Sequence, residues 1–520
     1  MSRADVLLAD CELLRMYGHS LAPYCLKGWA ARDKELGGIS IEVQGFPADL
    51  SARDIAEAIL AARPRLTGFS CYVWNARRIW EVVAHLKRSR PELPVVLGGP
   101  QVAGDPEAAL LGTGADFVCA AEEGEESFRQ FLRFLFLKDR SLRDVRGLAF
   151  RENGVLVRTP EPELIDLDLL PPLYSGGLCP LKPGAQYVIL ETSRGCPFSC
   201  KFCDWGPKQV RRFPVGLIER EFSWLAREGV PFVGITDADI LREPQFGLEV
   251  IRAFLRASEG TRTRLAFESN PAFLGKSPAL DLIEVHPSKF TIGLGVQTIN
   301  PETNRRLKRP FRRDAVEGGI AELHRRAPGA DSLIEIICGL PGDTLESWRE
   351  TVDWAIGRRP SQIAAYHALV LPGTALAREA AGLGVVYQQE PPHHVLSTME
   401  MVTGEMRLAK TLAFYVTLSS QLGLARPLAD FVDVADGPRE PRAYVRALED
   451  WMSRLALTWA ELAVQIGRPA DADVMSPFER AAHLAVSVQR GGVLRAAVDM
   501  SWRNFVQRKR LTIIGGARGG

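Results

Sequence analysis

The stretch that decides the fold is "ETSRGCPFSCKFCDWG", residues 191–206, which carries Cys196, Cys200 and Cys203 in a Cys-x-x-x-Cys-x-x-Cys run. Three thiolates on one loop can hold three corners of a four-iron four-sulfur cluster, and the fourth iron is then open to a chelating substrate. Zinc is the competing interpretation, but structural zinc sites are closed by four ligands and usually contain paired Cys-x-x-Cys units. No second cysteine pair or nearby histidine in the sequence completes such a site.

The other six cysteines do not share this clustering. Nine cysteines scattered over 520 residues are not the pattern of a disulfide scaffold. Cys71, Cys119 and Cys338 lie inside apolar, strand-like runs, where a thiol usually serves as a small packing group. The functional cysteines are therefore expected to be the clustered three.

The cysteine run is predicted to follow the first strand of a partial barrel. Residues 186–376 alternate six strand-like segments with helical ones, a pattern typical of an incomplete (βα)6 barrel smaller than the usual eight-unit ring. The segments read QYVILET, PFVGITDA, RLAFESN, FTIGLGVQT, LIEIICGLPG and QIAAYHALVLPG. In such barrels the loops at the carboxyl ends of the strands form the site.

A second α/β unit precedes the barrel. Five short apolar runs alternate with helical segments over residues 5–134, which predicts a doubly wound (Rossmann-like) parallel sheet that binds ligands beyond its carboxyl edge. The loops after the third, fourth and fifth strands have residues suited to binding a ligand. Ordinary strand-to-helix turns with acidic residues in the first helical turn would show the same pattern. The candidate residues are Tyr72, Asn75, Gly98, Gly99, Pro100, Gln101, Glu123, Gly124 and Glu125.

Composition and turn signals complete the expected organisation. We expect the Rossmann-like domain over 1–140, a hairpin and linker over 141–183, the barrel over 184–385 and a helical domain over 386–520. The helical patterns in that last part span 395–423, 441–467 and 477–510.

Charge and hydropathy exclude some partners. The formal net charge is +1, so no overall field favours nucleic acid or an anionic membrane surface. No apolar stretch approaches the roughly 20 residues that span a bilayer, and charged residues interrupt any leader-like run at the N-terminus. We expect a cytoplasmic protein that binds neither nucleic acid nor membrane.

At this point the sequence resembles a known family. RGCPFSCKFC matches the signature of the radical S-adenosylmethionine (SAM) enzymes, and GLGVQT and GLPGDT are similar to their strand ends. GGPQVAG and EEGEESF, in a doubly wound domain before the barrel, resemble the cobalamin-binding members. The resemblance covers about residues 4–376 and implies three cofactors, namely a [4Fe-4S] cluster, SAM and cobalamin.

The resemblance also implies roles for individual residues. SAM would chelate the open iron, and the matching contact positions are Phe202 beside the adenine, Asp237 and Asp239 near the amino group, Glu268, Gln297 and Gly339. Helix capping or a tight turn would explain the acidic residues and Gly339 equally well. The Asp-x-His-x-x-Gly motif that supplies a cobalt ligand elsewhere is absent, and Gln101 stands where relatives often carry histidine.

The implied activity is C-methylation. A radical made from SAM would remove hydrogen from an unactivated carbon of a natural-product precursor, amino acid or peptide, and cobalamin would deliver the methyl group. An electron donor such as flavodoxin or ferredoxin would then be a partner. Two alternatives stay open: a cyclisation, ring contraction or rearrangement with the same cofactors, and a non-catalytic cobalamin-sensing module.

Overall fold

The protein contains two parallel β-sheets in sequence, followed by a helical segment. The computed structural model describes residues 4–11, 18–47, 50–424, 428–430, 432–433 and 442–455. Both sheets alternate strands with helices along the chain, as the sequence predicts. Buried residues form one large cluster around the barrel and two smaller ones on the two faces of the first sheet.

The first sheet has five parallel strands and an antiparallel hairpin. Its spatial order is β2-β1-β3-β4-β5-β6-β7, with β1 joined to both β2 and β3, so the carboxyl edge has a switch point beside β1. The strands are β1 (Val6–Cys11), β2 (Ile41–Phe46), β3 (Leu66–Ser70), β4 (Val95–Gly98), β5 (Phe117–Cys119), β6 (Leu148–Glu152) and β7 (Val155–Arg158).

Six helices connect and cover these strands. They are α1 (Ala22–Ala30), α2 (Ala52–Ala62), α3 (Ala76–Ser89), α4 (Pro100–Ala103), α5 (Pro106–Thr113) and α6 (Gly124–Leu132). Because helices lie on both faces, all six residues of β1 are buried, as expected for an inner parallel strand. The five strands predicted for this region are confirmed.

The predicted hairpin forms, and it belongs to the first sheet. β6 pairs antiparallel with β5 through Cys119 and Leu148, and β7 then pairs with β6. The sheet therefore continues to Arg158, past the domain limit expected at residue 140. Phe150 and Ala149 are buried against the core, which explains why the hairpin extends the sheet.

The second sheet is the partial barrel. Its six parallel strands follow the order β15-β14-β13-β12-β11-β8, and β8 does not pair with β15. They are β8 (Tyr187–Leu190), β11 (Phe232–Ile235), β12 (Arg264–Ser269), β13 (Phe290–Gln297), β14 (Asp331–Cys338) and β15 (Gln362–His367). The six strands predicted from the sequence are thus confirmed.

Helices on the outside cover the barrel. They are α7 (Val215–Arg227), α8 (Pro244–Ala257), α9 (Pro271–Leu274), α10 (Ala279–Val285), α11 (Pro301–Arg306), α12 (Arg313–Arg326), α13 (Leu345–Gly357) and α14 (Ala375–Glu379). Their apolar faces bury the outward side chains of the strands, among them Ile334 and Ile336 of β14. The inward side chains face the lumen.

A short antiparallel ribbon closes the cysteine loop. β9 (Ser193–Arg194) pairs with β10 (Arg211–Arg212), so residues 195–210 form the loop between them. Gly195 has φ +94°, and a Cβ there would lie 2.3 Å from the carbonyl oxygen of Gln209. Only glycine allows the loop's two ends to approach so closely.

The described C-terminal part packs on the barrel. β16 (Val386–Tyr387) pairs with β17 (Val395–Ser397), and α15 (Thr403–Gln421) and α16 (Ala443–Leu455) follow. The helix expected over 395–423 therefore begins at Thr403, because Val395–Ser397 pair as a strand instead. α15 packs along β15, and the third predicted helical segment, 477–510, lies outside the described residues. No described helix is both long and apolar enough to cross a membrane.

Candidate functional site

The three clustered cysteines differ from the other six in exposure. Cys196, Cys200 and Cys203 are partly exposed, whereas every other cysteine is buried. The loop that carries them is anchored to the barrel because Lys201 N–H donates to Leu307 O at 3.0 Å and Leu376 N–H donates to Lys201 O at 2.8 Å. The loop thus presents its thiols at the barrel mouth on a fixed backbone.

Two donors lie beside the sulfur atoms. Trp205 N–H lies 3.4 Å from Cys203 Sγ, and the Arg309 guanidinium Nη1 lies 3.9 Å from Cys200 Sγ. Burial raises the pKa of the Cys203 thiol to about 11 and also raises that of Cys196. A nearby cation is therefore needed to hold these groups as thiolates, and cluster irons supply that charge.

The donor set fits a cluster better than a single ion. Among the described residues, no three histidine, cysteine or acidic side chains converge as one metal ion would require. A four-iron cluster spreads its thiolates over three separate irons, so convergence on one point is not needed. The residues present therefore fit an iron-sulfur cluster with an open iron.

Asp237 braces the start of the cysteine loop. Thr192 N–H donates to its Oδ1 at 2.9 Å and Thr192 Oγ1 donates to its Oδ2 at 2.7 Å, while the Ser193 hydroxyl also donates to Oδ2. The side chain is only 2% exposed. Its expected contact with the SAM amino group is not tested by this arrangement and stays a prediction.

Asp239 lies in a small cleft beside Cys196. It accepts hydrogen bonds from Ser269 Oγ at 3.1 Å and from Asn270 N–H at 3.2 Å. Burial raises the pKa of Asp239 to about 6, although these hydrogen bonds oppose the shift. A ligand cation in the cleft would stabilise the ionised carboxylate.

The lumen contains a pair of carboxyl groups. Glu268 of β12 extends over Gly293 of β13, where a Cβ would lie 2.1 to 2.3 Å from its carboxylate, and it is hydrogen-bonded to Glu335 of β14. The Tyr366 hydroxyl donates to Glu335 Oε1 at 3.1 Å. Enclosure in the barrel raises the pKa of both carboxyls, and the charge of Glu335 raises that of Glu268 further. One proton is therefore readily retained by the pair.

The remaining barrel candidates line other parts of the mouth. Gln297 ends β13 with φ +69°, and its Oε1 is buried without a hydrogen-bond partner among the described residues. Gly339 has φ +82° and lies against α15, because a Cβ there would be 2.9 Å from Met406 Sδ. Phe202 packs against the barrel core. An unused acceptor at Gln297 is what a ligand in the mouth would need.

The loops after β3 and β4 form one unit at the carboxyl edge of the first sheet. Gly99 has φ +96°, and a Cβ there would lie 2.6 Å from Cys71 O. Gln101 N–H donates to Cys71 O at 3.2 Å, and Asn75 Oδ1 accepts from Tyr72 N–H at 2.8 Å. The Tyr72 ring stacks on Trp74, which is 45% exposed. This edge therefore presents the backbone around Gly99 and the exposed aromatic ring of Trp74.

Gln101 extends from this edge to the barrel. Its Nε2 donates to His393 Nε2 at 2.8 Å, since His393 Nδ1 donates to Gln388 O at 3.2 Å and leaves Nε2 as the acceptor. Burial lowers the pKa of His393, which favours this neutral form. Gln101 Oε1 is buried with no hydrogen-bond partner in the described part of the chain. Pro100, which opens α4, precedes it.

Glu123 and Glu125 also extend to the barrel, one on each side of Gly124, which begins α6. Arg194 Nη2 donates to Glu125 Oε1 at 2.8 Å and its Nη1 lies 3.4 Å from Glu123 Oε1, which also accepts from Arg211. Both carboxylates therefore join the two sheets. Their expected contacts with cobalamin stay a prediction.

Sequence reasoning did not identify several residues of this site. Glu335 is an acid at an inward position within the apolar middle of β14, so strand alternation could have singled it out. Arg194, Arg211 and Arg309 gave no such signal, because their partners come from distant parts of the chain.

Two family models match the chain at the two sheets. The B12 binding domain matches residues 28–132, and the Radical SAM superfamily matches residues 190–355. Each matched range contains the loops described above. The chain belongs to the cobalamin-binding radical SAM family.

Curated relatives of this radical SAM protein are named as methyltransferases. The cobalamin-dependent radical SAM methyltransferase TokK of Streptomyces tokunonensis is 28% identical over 67% of this chain and 54% of its own length. The 2-(S-pantetheinyl)-carbapenam-3-carboxylate methyltransferase of Streptantibioticus cattleyicolor is 26% identical over 65% and 53%. The chain thus spans about half the length of these relatives.

Solved structures share the fold of this radical SAM protein. The cobalamin-dependent SAM radical enzyme OxsB, with aqua-cobalamin and SAM bound, covers 98% of this chain and 84% of its own at 13% identity and a TM-score of 0.65. The radical SAM methyltransferase TsrM from Kitasatospora setae, with tryptophan and a SAM analogue, covers 76% and 81% at 18% identity and a TM-score of 0.58. The order of a Rossmann-like domain and a barrel is common to all three.

Proposed function

We propose that this protein is a cobalamin-dependent radical SAM methyltransferase that methylates a carbon atom of a natural-product precursor, an amino acid or a peptide. The observation that carries the proposal is the direct contact between the carboxyl edge of the first sheet and the mouth of the cysteine-bearing barrel. Gln101 bonds His393, between β16 and β17 outside the barrel sheet, and Glu125 bonds Arg194 of β9. The sites expected for two cofactors therefore share one interface.

Cys196, Cys200 and Cys203 would hold the cluster, and the cleft beside Asp239 would receive SAM at the open iron. The loops at Tyr72–Asn75, Gly98–Gln101 and Glu123–Glu125 would border the cobalamin. When bound, the three cofactors supply a carbon-centred radical and a transferable methyl group. The chain itself would position them where the two sheets meet.

The carboxyl groups of Glu268 and Glu335 provide polar groups inside the barrel lumen. With one proton retained, the pair presents both a donor and an acceptor, and Tyr366 fixes the position of Glu335. These carboxyl groups would orient a substrate that carries hydrogen-bonding groups. A small natural product, an amino acid or a short peptide each has such groups.

The matched relatives favour methyl transfer over the alternatives. Both curated relatives named above are methyltransferases by name, which favours that reaction over cyclisation, ring contraction or rearrangement. The partly exposed cysteine triad also disfavours a non-catalytic cobalamin-sensing module. A one-electron donor such as flavodoxin or ferredoxin would reduce the cluster.

Anaerobic assays with methyl-deuterated SAM test the proposal. The reconstituted protein, a chemical reductant and a panel of acceptors should yield 5′-deoxyadenosine and a product heavier by one labelled methyl group. The Cys200→Ala variant, which removes one cluster ligand, should yield neither. A product of altered structure without the label would instead support rearrangement, and absence of 5′-deoxyadenosine from the loaded protein would contradict both reactions.

A further inference from the structure

Four charged side chains join the two sheets beside the cysteine loop. Glu123 and Glu125 come from the first sheet, and Arg194 and Arg211 come from the ribbon that closes the cysteine loop. The exposed fractions of the four side chains are only 9%, 7%, 14% and 18%. Exposed ion pairs contribute little to stability because water screens their charges. These four side chains are largely shielded from water.

The ribbon places two like charges next to each other. Arg194 and Arg211 are paired directly opposite each other across β9 and β10. Like charges in directly opposed positions destabilise an antiparallel pair. Glu191, just before the ribbon, pairs with Arg194 at 2.9 Å. Glu123 of the first sheet contacts both guanidinium groups, so it offsets the repulsion that remains at Arg211.

The ribbon also determines the shape of the cysteine loop. All three cysteines lie between its two strands, and Asp237 binds Thr192 and Ser193 at its first strand. Arg211 is fixed a second time because its Nη1 donates to Ile165 O at 2.6 Å, in the linker between the sheets. The position of β10 therefore depends on contacts from outside the barrel.

We infer that Glu123 and Glu125 are positioning residues that close the cysteine loop from the neighbouring domain. The loop is then fully formed only while the two sheets are docked, and binding at the two cofactor sites is coupled. The coupling rests on the proposed function, whereas the closing of the loop does not. Such coupling is reciprocal. If a bound cluster raises the affinity for cobalamin by some factor, bound cobalamin raises the affinity for the cluster by the same factor.

Hydrogen exchange on the cofactor-free protein tests the loop closure. In Arg211→Gln, amides of residues 195–212 should exchange about tenfold faster, the size expected for loss of a charge-assisted hydrogen bond. Arg211→Lys keeps the charge and should stay close to wild type. Arg256→Gln is the matched control, since Arg256 pairs with Glu219 at 2.9 and 2.7 Å within the barrel's own helices. Unchanged exchange in Arg211→Gln would overturn the inference.

Cobalamin affinity tests the coupling. Hydroxocobalamin should bind the cluster-loaded wild type at least about fivefold more tightly than the cluster-free protein, the lower end of usual coupling factors. In Glu125→Gln the ratio of the two dissociation constants should approach one, and an unchanged ratio would overturn the coupling. A wild-type protein that binds no cobalamin would contradict the proposed function, while the exchange experiment would still decide the loop closure.

Discussion

Arg309 is the residue whose surroundings bear most directly on the cluster. Its guanidinium lies 3.9 Å from Cys200 Sγ and also donates to Gly295 O, so the charge is held in place. Its positive charge also acts to lower the pKa of Glu335 in the lumen, against the larger effect of burial. A fixed cation beside a cluster ligand stabilises the reduced, more negative form of the cluster.

Arg309→Gln should therefore make the cluster harder to reduce. Loss of a unit charge a few Å away predicts a reduction potential lower by roughly 100 mV at an effective dielectric constant near 20. A redox titration of the reconstituted protein, followed by electron paramagnetic resonance, measures this. Arg313→Gln, at a 55% exposed position in α12, is the control and should leave the potential unchanged. Equal potentials for both variants would contradict this role of Arg309.

Gly293 of β13 has no side chain, and this leaves room for the carboxylate of Glu268 from the neighbouring strand β12. A methyl group there would collide with the Glu268 carboxylate, so Gly293→Ala should destabilise the protein by about 1–3 kcal/mol. Urea denaturation measures the change. Gly216→Ala is the control, because a Cβ at this α7 position meets no atom within 4 Å and should stabilise the helix by about 0.5–1 kcal/mol. Equal effects at both positions would show that Glu268 does not occupy this place.

The carboxyl pair predicts a pH dependence of stability. A carboxyl whose pKa is raised on folding binds its proton more tightly in the folded state, so stability is lost as pH rises through the raised pKa. Burial raises the pKa of Glu335, and burial together with Glu335 raises that of Glu268. Glu335→Gln should therefore raise the melting temperature more at pH 8 than at pH 5. A gain that is equal at both pH values would argue against a coupled pair.

Single residues were predictable only where the sequence itself marks them. The cysteine spacing singles out Cys196, Cys200 and Cys203 as candidates, and strand ends single out Asp237, Asp239 and the glycine-rich loop at Gly98. Their cofactor contacts stay predictions. Their partners were not predictable, because Asp237 binds a segment 45 residues earlier and Gln101 one 292 residues later. Long-range pairings leave no local pattern.

At the scale of elements, alternation of apolar runs was a sufficient signal. The parallel strands of both sheets are short, apolar and regularly spaced between helices, so all eleven could be located. The two-residue ribbon β9–β10 could not, because two residues show no periodicity. The pairing of the hairpin with β5 also depends on tertiary contacts.

The segment after α4 makes a close backbone contact with the segment after β15. A Cβ on Gly104 would lie 2.4 Å from Pro372 C and 2.5 Å from Pro372 O, in the loop after β15. Gly104→Ala should therefore push the sheets apart and lower the free energy of unfolding by about 1–3 kcal/mol. Gly112→Ala in α5 has open space and is the control in the same domain. Urea denaturation compares the two, and a Gly104→Ala variant as stable as wild type would mean that this contact does not form in solution.

At the scale of the whole molecule, the two sheets meet at one interface. The contacts of Glu123 and Glu125 with the ribbon and of Gln101 and Gly104 with the segments after β15 lie on the same interface. Parallel sheets bind ligands at their carboxyl edges, and here the two edges are joined. The order of the domains could be predicted from the sequence, but which side chains join them could not.

The most direct test of this account is the metal and cofactor content of the protein after anaerobic reconstitution with iron, sulfide and hydroxocobalamin. The wild type should contain about four irons and one cobalamin per chain. A variant with Cys196, Cys200 and Cys203 all changed to alanine should lose the iron but still bind cobalamin. Four irons without cobalamin in the wild type, or iron retained by the triple variant, would contradict it.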